Sequence, residues 1–317
     1  MTYPEAGNIG GGGFMTLYIH ISAARLISST IVRQPRQGLA PICISTPRGE
    51  PVPNLSLVGD LSAGVPGTVR GFAEAHRLFG KLSWAQDLAP AIRYASLGYR
   101  VLPEMTKVRD SAQAGFAVTN FAHYFGGMKA GRTFRQPELA ATLRRIAEGG
   151  DKEFYQGRTA DLLVAQMARG QVKGLITKAD LAAYKAVWRE PVEGDWKGFP
   201  LITAPPPSSG GVALLQLLGM KEDAAPLFQS VSLNSPQYLH LISGIEKRVF
   251  ADRADYMGDP DFVKVPVVAL SDPAKPSVLA AVKPAWKSRK PPTSRSSIAG
   301  ATPSPTPTPS TATMARA

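Results

Sequence analysis

The sequence has one cysteine, Cys43, four histidines and no long apolar run in 317 residues. A single thiol leaves no internal disulfide framework and no multi-cysteine metal site. No window approaches the ~20 uninterrupted apolar residues of a membrane-crossing helix, so no membrane span is expected. His20, His76, His123 and His240 are scattered without ligand-like spacing, and each reads as a packing or surface residue. The start, MTYPEAGNIG, has neither a basic stretch nor an apolar one, so the chain as written carries no secretory signal and is expected in the cytoplasm.

Acidic residues are missing from two segments. Residues 21–48 hold Arg25, Arg33, Arg36 and Arg48 without an acid, and residues 275–317 hold seven basic residues without one. These eleven account for nearly all of the net charge of +12. The remaining charges balance, which argues against a basic face for nucleic acid. Neither segment keeps a helical or strand period, and ATPSPTPTPSTATMARA is a Pro/Thr/Ser/Ala tract that builds no core.

The rest of the chain is well patterned, and at 44% hydrophobic residues it can bury a sizeable core. TLYIH (16–20) reads as a strand. Gly64, Pro66 and Gly67 form a turn before a helix with Thr68 as its cap and Phe72, Ala75 and Phe79 on one face. Ser83 caps a second helix carrying Trp84, Leu88 and Ile92. Residues 136–148 and 158–169 read as amphipathic helices, with Leu139, Leu143 and Ile146, then Leu162, Leu163 and Met167, on their buried sides. Thr177 and Asp180 have the spacing of a capping box. Residues 193–198 join two strand-like runs as an antiparallel hairpin, and Pro205 to Pro207 stop the second strand. Ser208 or Ser209 then caps a helix so apolar that it should be buried, which predicts a two-layer core of sheet and helix. One long helix comes next, carrying Tyr238, Leu239, Ile242, Ile245 and Phe250 and ended by Gly258 and Pro260.

Chemistry is harder to find. Ser208-Ser209-Gly210-Gly211 could present a nucleophile or an anion site, but no G-x-S-x-G elbow surrounds it, and a structural cap is the better reading. Asp252, Asp255, Asp259 and Asp261 lack EF-hand spacing and read as helix-surface charge and a C-terminal turn. Gly10 to Gly13 precede a strand rather than follow one, the wrong order for a phosphate cradle, which leaves a plain turn or close backbone packing.

Four stretches carry a resemblance. They are GNIGGGGFM; SAGVPGTVRGFAEAHRLFGKLSWAQDLAPAIRYASLGYRV; the run from FYQGRTADLL to SSGGVALLQLLGM; and NSPQYLHLISGIEKRVFADRADYMGDPDFVKVPVVALSDPA. Together they resemble the large subunit of gamma-glutamyltransferases, or glutathione hydrolases, over residues 1 to about 20 and 49 to about 274. The resemblance implies an α/β (α+β) chain, part of the αββα sandwich of an N-terminal nucleophile hydrolase. It also implies a precursor that cuts itself ahead of a threonine, which attacks gamma-glutamyl amides such as glutathione. The implied compartment is the periplasm or the exterior, and the glycine run is implied to lie close against the glutamyl site.

The chain departs from that family where chemistry is concentrated. An Arg-Glu-x-Ala-Pro motif, implied to clamp the substrate carboxylate, is replaced by the odd segment 21–48. The Pro/Thr tail stands where the threonine strand and the small subunit are expected. A shifted reading frame explains both: residues 26–41 can then encode an Arg-Glu-Thr-Thr-Ala-Pro run, and the frame returns at Gly49-Glu50. The expected organisation is therefore a glycine turn and strand over 1–20, an aberrant segment over 21–48, a large-subunit core over 49–274 and an aberrant tail over 275–317. Met1 reads as an internal start. No residue is assigned as catalytic, substrate-binding or metal-binding, no cofactor is expected, and the small subunit is read as missing. The chain is expected to be a truncated, frameshifted and inactive family member, with a non-catalytic remnant in a binding role as the alternative.

Overall fold

The computed structural model describes residues 7–19, 25–30, 52, 54–55, 57–117, 119–170 and 172–272. They fall into two compact units, one running up to residue 188 and the other from 189 onward, with the division passing through the strands β1 (Phe14–Ile19) and β2 (Arg25–Thr30). These strands are neighbours in one sheet. Cys43 and His20 lie outside the described residues, as do most of 21–48 and all of 275–317.

The first unit is mostly helical. It contains α1 (Thr68–Phe79), α2 (Trp84–Leu97), β3 (Tyr99–Arg100), α3 (Pro103–Gly115), α4 (Phe121–Phe125), β4 (Thr133–Phe134), α5 (Pro137–Gln156), α6 (Arg158–Met167), α7 (Lys178–Ala183) and the strand β5 (Val187–Arg189) at its edge. Local signals start several of these helices. Ser83 accepts from the Gln86 amide while the Gln86 side chain takes the Ser83 amide, a complete capping box on α2. Thr177 and Asp180 do the same for α7. At α1 the expected cap is displaced: Thr68 is the first helical residue, Gly67 occupies the cap position, and no local side chain caps the helix.

Its core gathers Val65, Val69, Ile146, Phe154, Tyr155, Leu181 and Tyr184, each fully buried apolar side chain contributing about 1.5–3 kcal/mol. Leu143 and Ala140 of α5 pack with Ala95 of α2, and Trp84 Nε1 donates to the Ile146 carbonyl at 2.9 Å. Of the apolar faces read from the sequence, Leu143 and Ile146 are buried, whereas Phe72 is 45% and Leu162 43% exposed. Ala160 lies across α6 from Leu162, on the side where Leu163 and Met167 pack against the core as expected. The helix expected to stop near 148 continues to Gln156 through a break at Gly150, whose φ of 69° only glycine adopts cheaply.

The second unit stacks helices on a hairpin. β6 (Val192–Trp196) pairs antiparallel with β7 (Phe199–Thr203), from Trp196 opposite Phe199 to Val192 opposite Thr203. Glu193 to Trp196 are thus within the strand, and the turn is only Lys197-Gly198, both at positive φ as a two-residue hairpin turn demands. Then come α8 (Gly210–Asp223), α9 (Ala225–Phe228), α10 (Pro236–Tyr256) and α11 (Val267–Ser271). Val212 and Leu215 of α8, Val192 of β6 and Leu270 of α11 form the core, which is the expected two-layer arrangement. Ser235 caps α10 by accepting from the Tyr238 amide. Of the apolar residues named on this helix, Leu239 and Phe250 are 53% and 59% exposed, and Ile245 carries the buried face together with Val249.

Candidate functional site

The glycine run is a turn against the start of α1. The Gly11 carbonyl accepts from the Gly67 amide at 2.8 Å and the Thr68 amide at 3.2 Å. Side chains at Gly10 and Gly11 would meet nothing nearer than Asn8 at 3.4 Å, and one at Gly13 would meet open space. Among the described residues, then, the bare backbone serves a carbonyl clasp on a helix start rather than a steric squeeze, and the order of elements leaves no phosphate cradle.

α5 supplies the remaining partners of that helix start. After the break at Gly150, Asp151 and Tyr155 lie one turn apart and face α1. Tyr155 is fully buried. Its hydroxyl donates to the Pro66 carbonyl at 2.8 Å and accepts from the Arg70 amide at 3.1 Å. Asp151 pairs with the Arg70 guanidinium, which lies 4.3 Å from the centre of the Tyr155 ring. Tyr184 stacks on the Tyr155 ring, ring centres 5.9 Å apart. Burial pushes the Tyr155 hydroxyl well above the usual tyrosine range and that of Tyr184 up to about 12, so both stay protonated. The sequence pattern does not reveal this cluster, because Tyr155 sits 85 residues from Arg70.

In the second unit Ser209 holds the cap position of α8 but makes no cap bond; its hydroxyl accepts from Arg253 Nε at 2.8 Å. Ser208 closes a turn with its amide on the Pro205 carbonyl, after the cis peptide between Pro206 and Pro207. Among the described residues neither serine is hydrogen-bonded to a histidine or a carboxylate. Gly211 has a packing reason: a Cβ there would overlap the Ala204 carbonyl and lie 2.7 Å from Thr203 Oγ1.

Asp255 is on the helix surface and Asp259 and Asp261 lie in the turn that follows it, as read from the sequence, whereas Asp252 corrects that reading. Asp252 is buried and accepts from Gln216 Nε2 at 2.8 Å. Burial raises its carboxyl above the usual range, the Gln216 bond opposes this and Asp255 adds to it. Asp255 is exposed. Asp259 and Asp261 converge on Arg189 Nη2 at 3.8 and 2.7 Å and form a structural ion pair. No group of three or more metal-ligating side chains occurs among the described residues.

His76 contacts the Leu82 carbonyl at 2.9 Å and Trp84 edge-on, and His240 is exposed. His123 borders two clefts of the first unit. One, of about 560 Å³, is lined by Asp60, Asn120, Tyr124, Gln166 and Arg169 among others; the second, about 690 Å³, lies by Asn8, Arg135 and Gln136. Thr119 lines the first cleft and Thr142 the second, and each hydroxyl donates to a backbone carbonyl, that of Phe116 and of Glu138, rather than to His123.

The fold places the chain among N-terminal nucleophile hydrolases: it superposes on gamma-glutamyltranspeptidase from Pseudomonas nitroreducens complexed with L-DON with a TM-score of 0.83, at 53% identity over 89% of this chain and 84% of that one. The Helicobacter pylori gamma-glutamyltranspeptidase gives 0.79 at 35% identity. The family model described as Gamma-glutamyltranspeptidase matches residues 1–315. The chain belongs to that family. It is 58% identical over 275 residues to the glutathione hydrolase proenzyme of Pseudomonas aeruginosa and 36% identical over 280 residues to that of Escherichia coli, covering 86% of this chain in each case and 48% and 47% of theirs. The chain spans about half the length of the curated relatives it matches. Among the described residues no helix is long and apolar enough to cross a membrane.

Proposed function

We propose that this chain is the large-subunit scaffold of an enzyme that cleaves gamma-glutamyl amides such as glutathione, and that alone it does not turn them over. The observation that supports this is a contrast. The chain follows a gamma-glutamyltranspeptidase chain over 84% of its length, yet several groups that could serve as nucleophile or base are occupied in packing: Ser209 with Arg253, His76 with Leu82, Asp252 with Gln216. Hydrolysis of an amide needs nucleophile, base and oxyanion donors in one place. On this reading residues 1–20 and 49–274 are scaffold, residues 21–48 and 275–317 are frameshifted reading, and the ancestral enzyme acted in the periplasm or outside the cell. Purified chain incubated with gamma-glutamyl-p-nitroanilide is expected to release no p-nitroaniline above a buffer blank. Turnover that scales with chain concentration would refute the proposal. Sequencing the coding DNA through codons 20–50 checks the frame independently, with an uninterrupted frame counting against it.

A further inference from the structure

We propose that Tyr155 is a positioning residue for the glycine segment Gly10–Gly13: from α5 it holds the Pro66–Gly67 turn in place, and that turn holds the Gly11 carbonyl and with it the approach to β1. The inference goes beyond the functional reading above and is tested without turnover.

A helix start leaves its first amides without intrahelical partners, and an Asn, Asp, Ser or Thr side chain normally takes one of them. α1 has Gly67 at that position and no such side chain. Its orphan amides are met from two directions. Gly67 and Thr68 donate to the Gly11 carbonyl, and Arg70, at the third helical position, donates to the Tyr155 hydroxyl. That hydroxyl also donates to the carbonyl of Pro66. One phenol therefore grips the residues on both sides of the Gly67-Thr68 pair whose amides clasp Gly11.

The phenol is itself fixed. Its ring contacts both the Arg70 guanidinium and the stacked ring of Tyr184, and Asp151, one turn earlier on the same helical segment, anchors that guanidinium. The break at Gly150 is what turns Asp151 and Tyr155 toward α1. The glycine segment has much less to hold it. Ile9 packs on the core at its upstream end, Phe14 is 44% exposed at its downstream end, and Gly10, Gly11 and Gly13 have no side chain to pack. Between those ends the Gly11 amide closes a local turn on the Asn8 carbonyl at 3.2 Å, and the clasp on Gly67 and Thr68 is what ties that turn to the rest of the unit.

The test is amide hydrogen exchange on the whole purified chain, read residue by residue, for the parent and Tyr155→Phe. Phenylalanine keeps the ring, its stacking and its volume and removes only the hydroxyl. The Arg70 amide loses its own acceptor and exchanges faster on any account. The distinguishing amides are Gly67 and Thr68, which bond to Gly11 and not to Tyr155; each is expected to exchange about tenfold faster or more, while the amides of α2 keep their parental rates. If Gly67 and Thr68 keep their protection, Tyr155 caps Arg70 and positions nothing, and the proposal falls. It falls equally if α2 accelerates as much as they do, because the effect is then a general loss of stability. Should Tyr155→Phe fail to fold, Asp151→Asn is read at the same amides: it leaves the hydroxyl but frees Arg70, and a smaller rise confined to Gly67, Thr68 and Arg70 is expected. No rise there overturns the proposal.

Discussion

Two glycines in helices of the second unit should respond in opposite directions to the same substitution. Gly→Ala in a helix interior removes backbone freedom from the unfolded chain and stabilises by at most about 1 kcal/mol. At Gly244 of α10 a Cβ meets nothing within 4 Å, so that gain is unopposed. At Gly211 of α8 the Cβ would overlap the Ala204 carbonyl and crowd Thr203 Oγ1 at 2.7 Å and Cγ2 at 2.9 Å. Two of these neighbours belong to a side chain, but the carbonyl is backbone at the end of β7 and cannot swing away. Overpacking of this kind costs typically about 1–3 kcal/mol, which outweighs the propensity gain. Gly211→Ala should therefore destabilise by about 1–2 kcal/mol and Gly244→Ala stabilise by up to about 1 kcal/mol. At about 2–4 °C per kcal/mol for a domain of 150–250 residues, the two melting temperatures should straddle the parent and differ by several degrees in a circular-dichroism melt. A Gly211→Ala chain at least as stable as the parent would show that α8 can withdraw from β7 without cost, and the account of that packing would be wrong.

Asp252 links stability to pH. Its carboxyl titrates above the unfolded value of about 3.9, so the folded state binds the proton more tightly, and the stability it contributes is present below that pH and fades as pH rises through the folded value. Asp252→Asn keeps an acceptor for Gln216 and removes the charge. Its stability relative to the parent should improve from pH 3 to pH 7 in urea titrations, and a constant difference across that range would contradict the assignment. Thr177→Ala removes the reciprocal cap of α7 and should cost about 1 kcal/mol, read as a lower urea midpoint at unchanged slope. A midpoint within error of the parent would mean that the packing of Leu181 alone holds α7.

What could be read from the sequence was local. The caps at Ser83 and Thr177 were legible because a hydroxyl and the amide it accepts from lie three residues apart, whatever the rest of the chain does. The hairpin was legible as two strand-like runs joined through residues 193–198, although the turn itself is only Lys197-Gly198. Family membership was legible in long runs of residues whose order is retained even where single positions carry no chemistry. Where apolar spacing was trusted to select a buried face, it held for Leu143 and Ile146 and failed at Leu162, which lies across α6 from the side that Ala160, Leu163 and Met167 turn to the core.

The rest was decided by contacts across tens of residues. Ser209 sits where a cap belongs, yet Arg253, 44 residues away, takes its hydroxyl. Asp252 looks like surface charge on a helix until Gln216, 36 residues back, is brought over it in a buried site. Tyr155 reads as one more aromatic in a helix until the break at Gly150 turns it onto Pro66, 89 residues earlier. Backbone preference and capping act within a few residues, so the order of amino acids was enough to assign helix, strand and turn to most segments. Which polar groups are buried, and what satisfies them, emerged with the packed chain alone. A buried donor or acceptor must find its partner wherever packing delivers one, and distance along the chain does not limit that search.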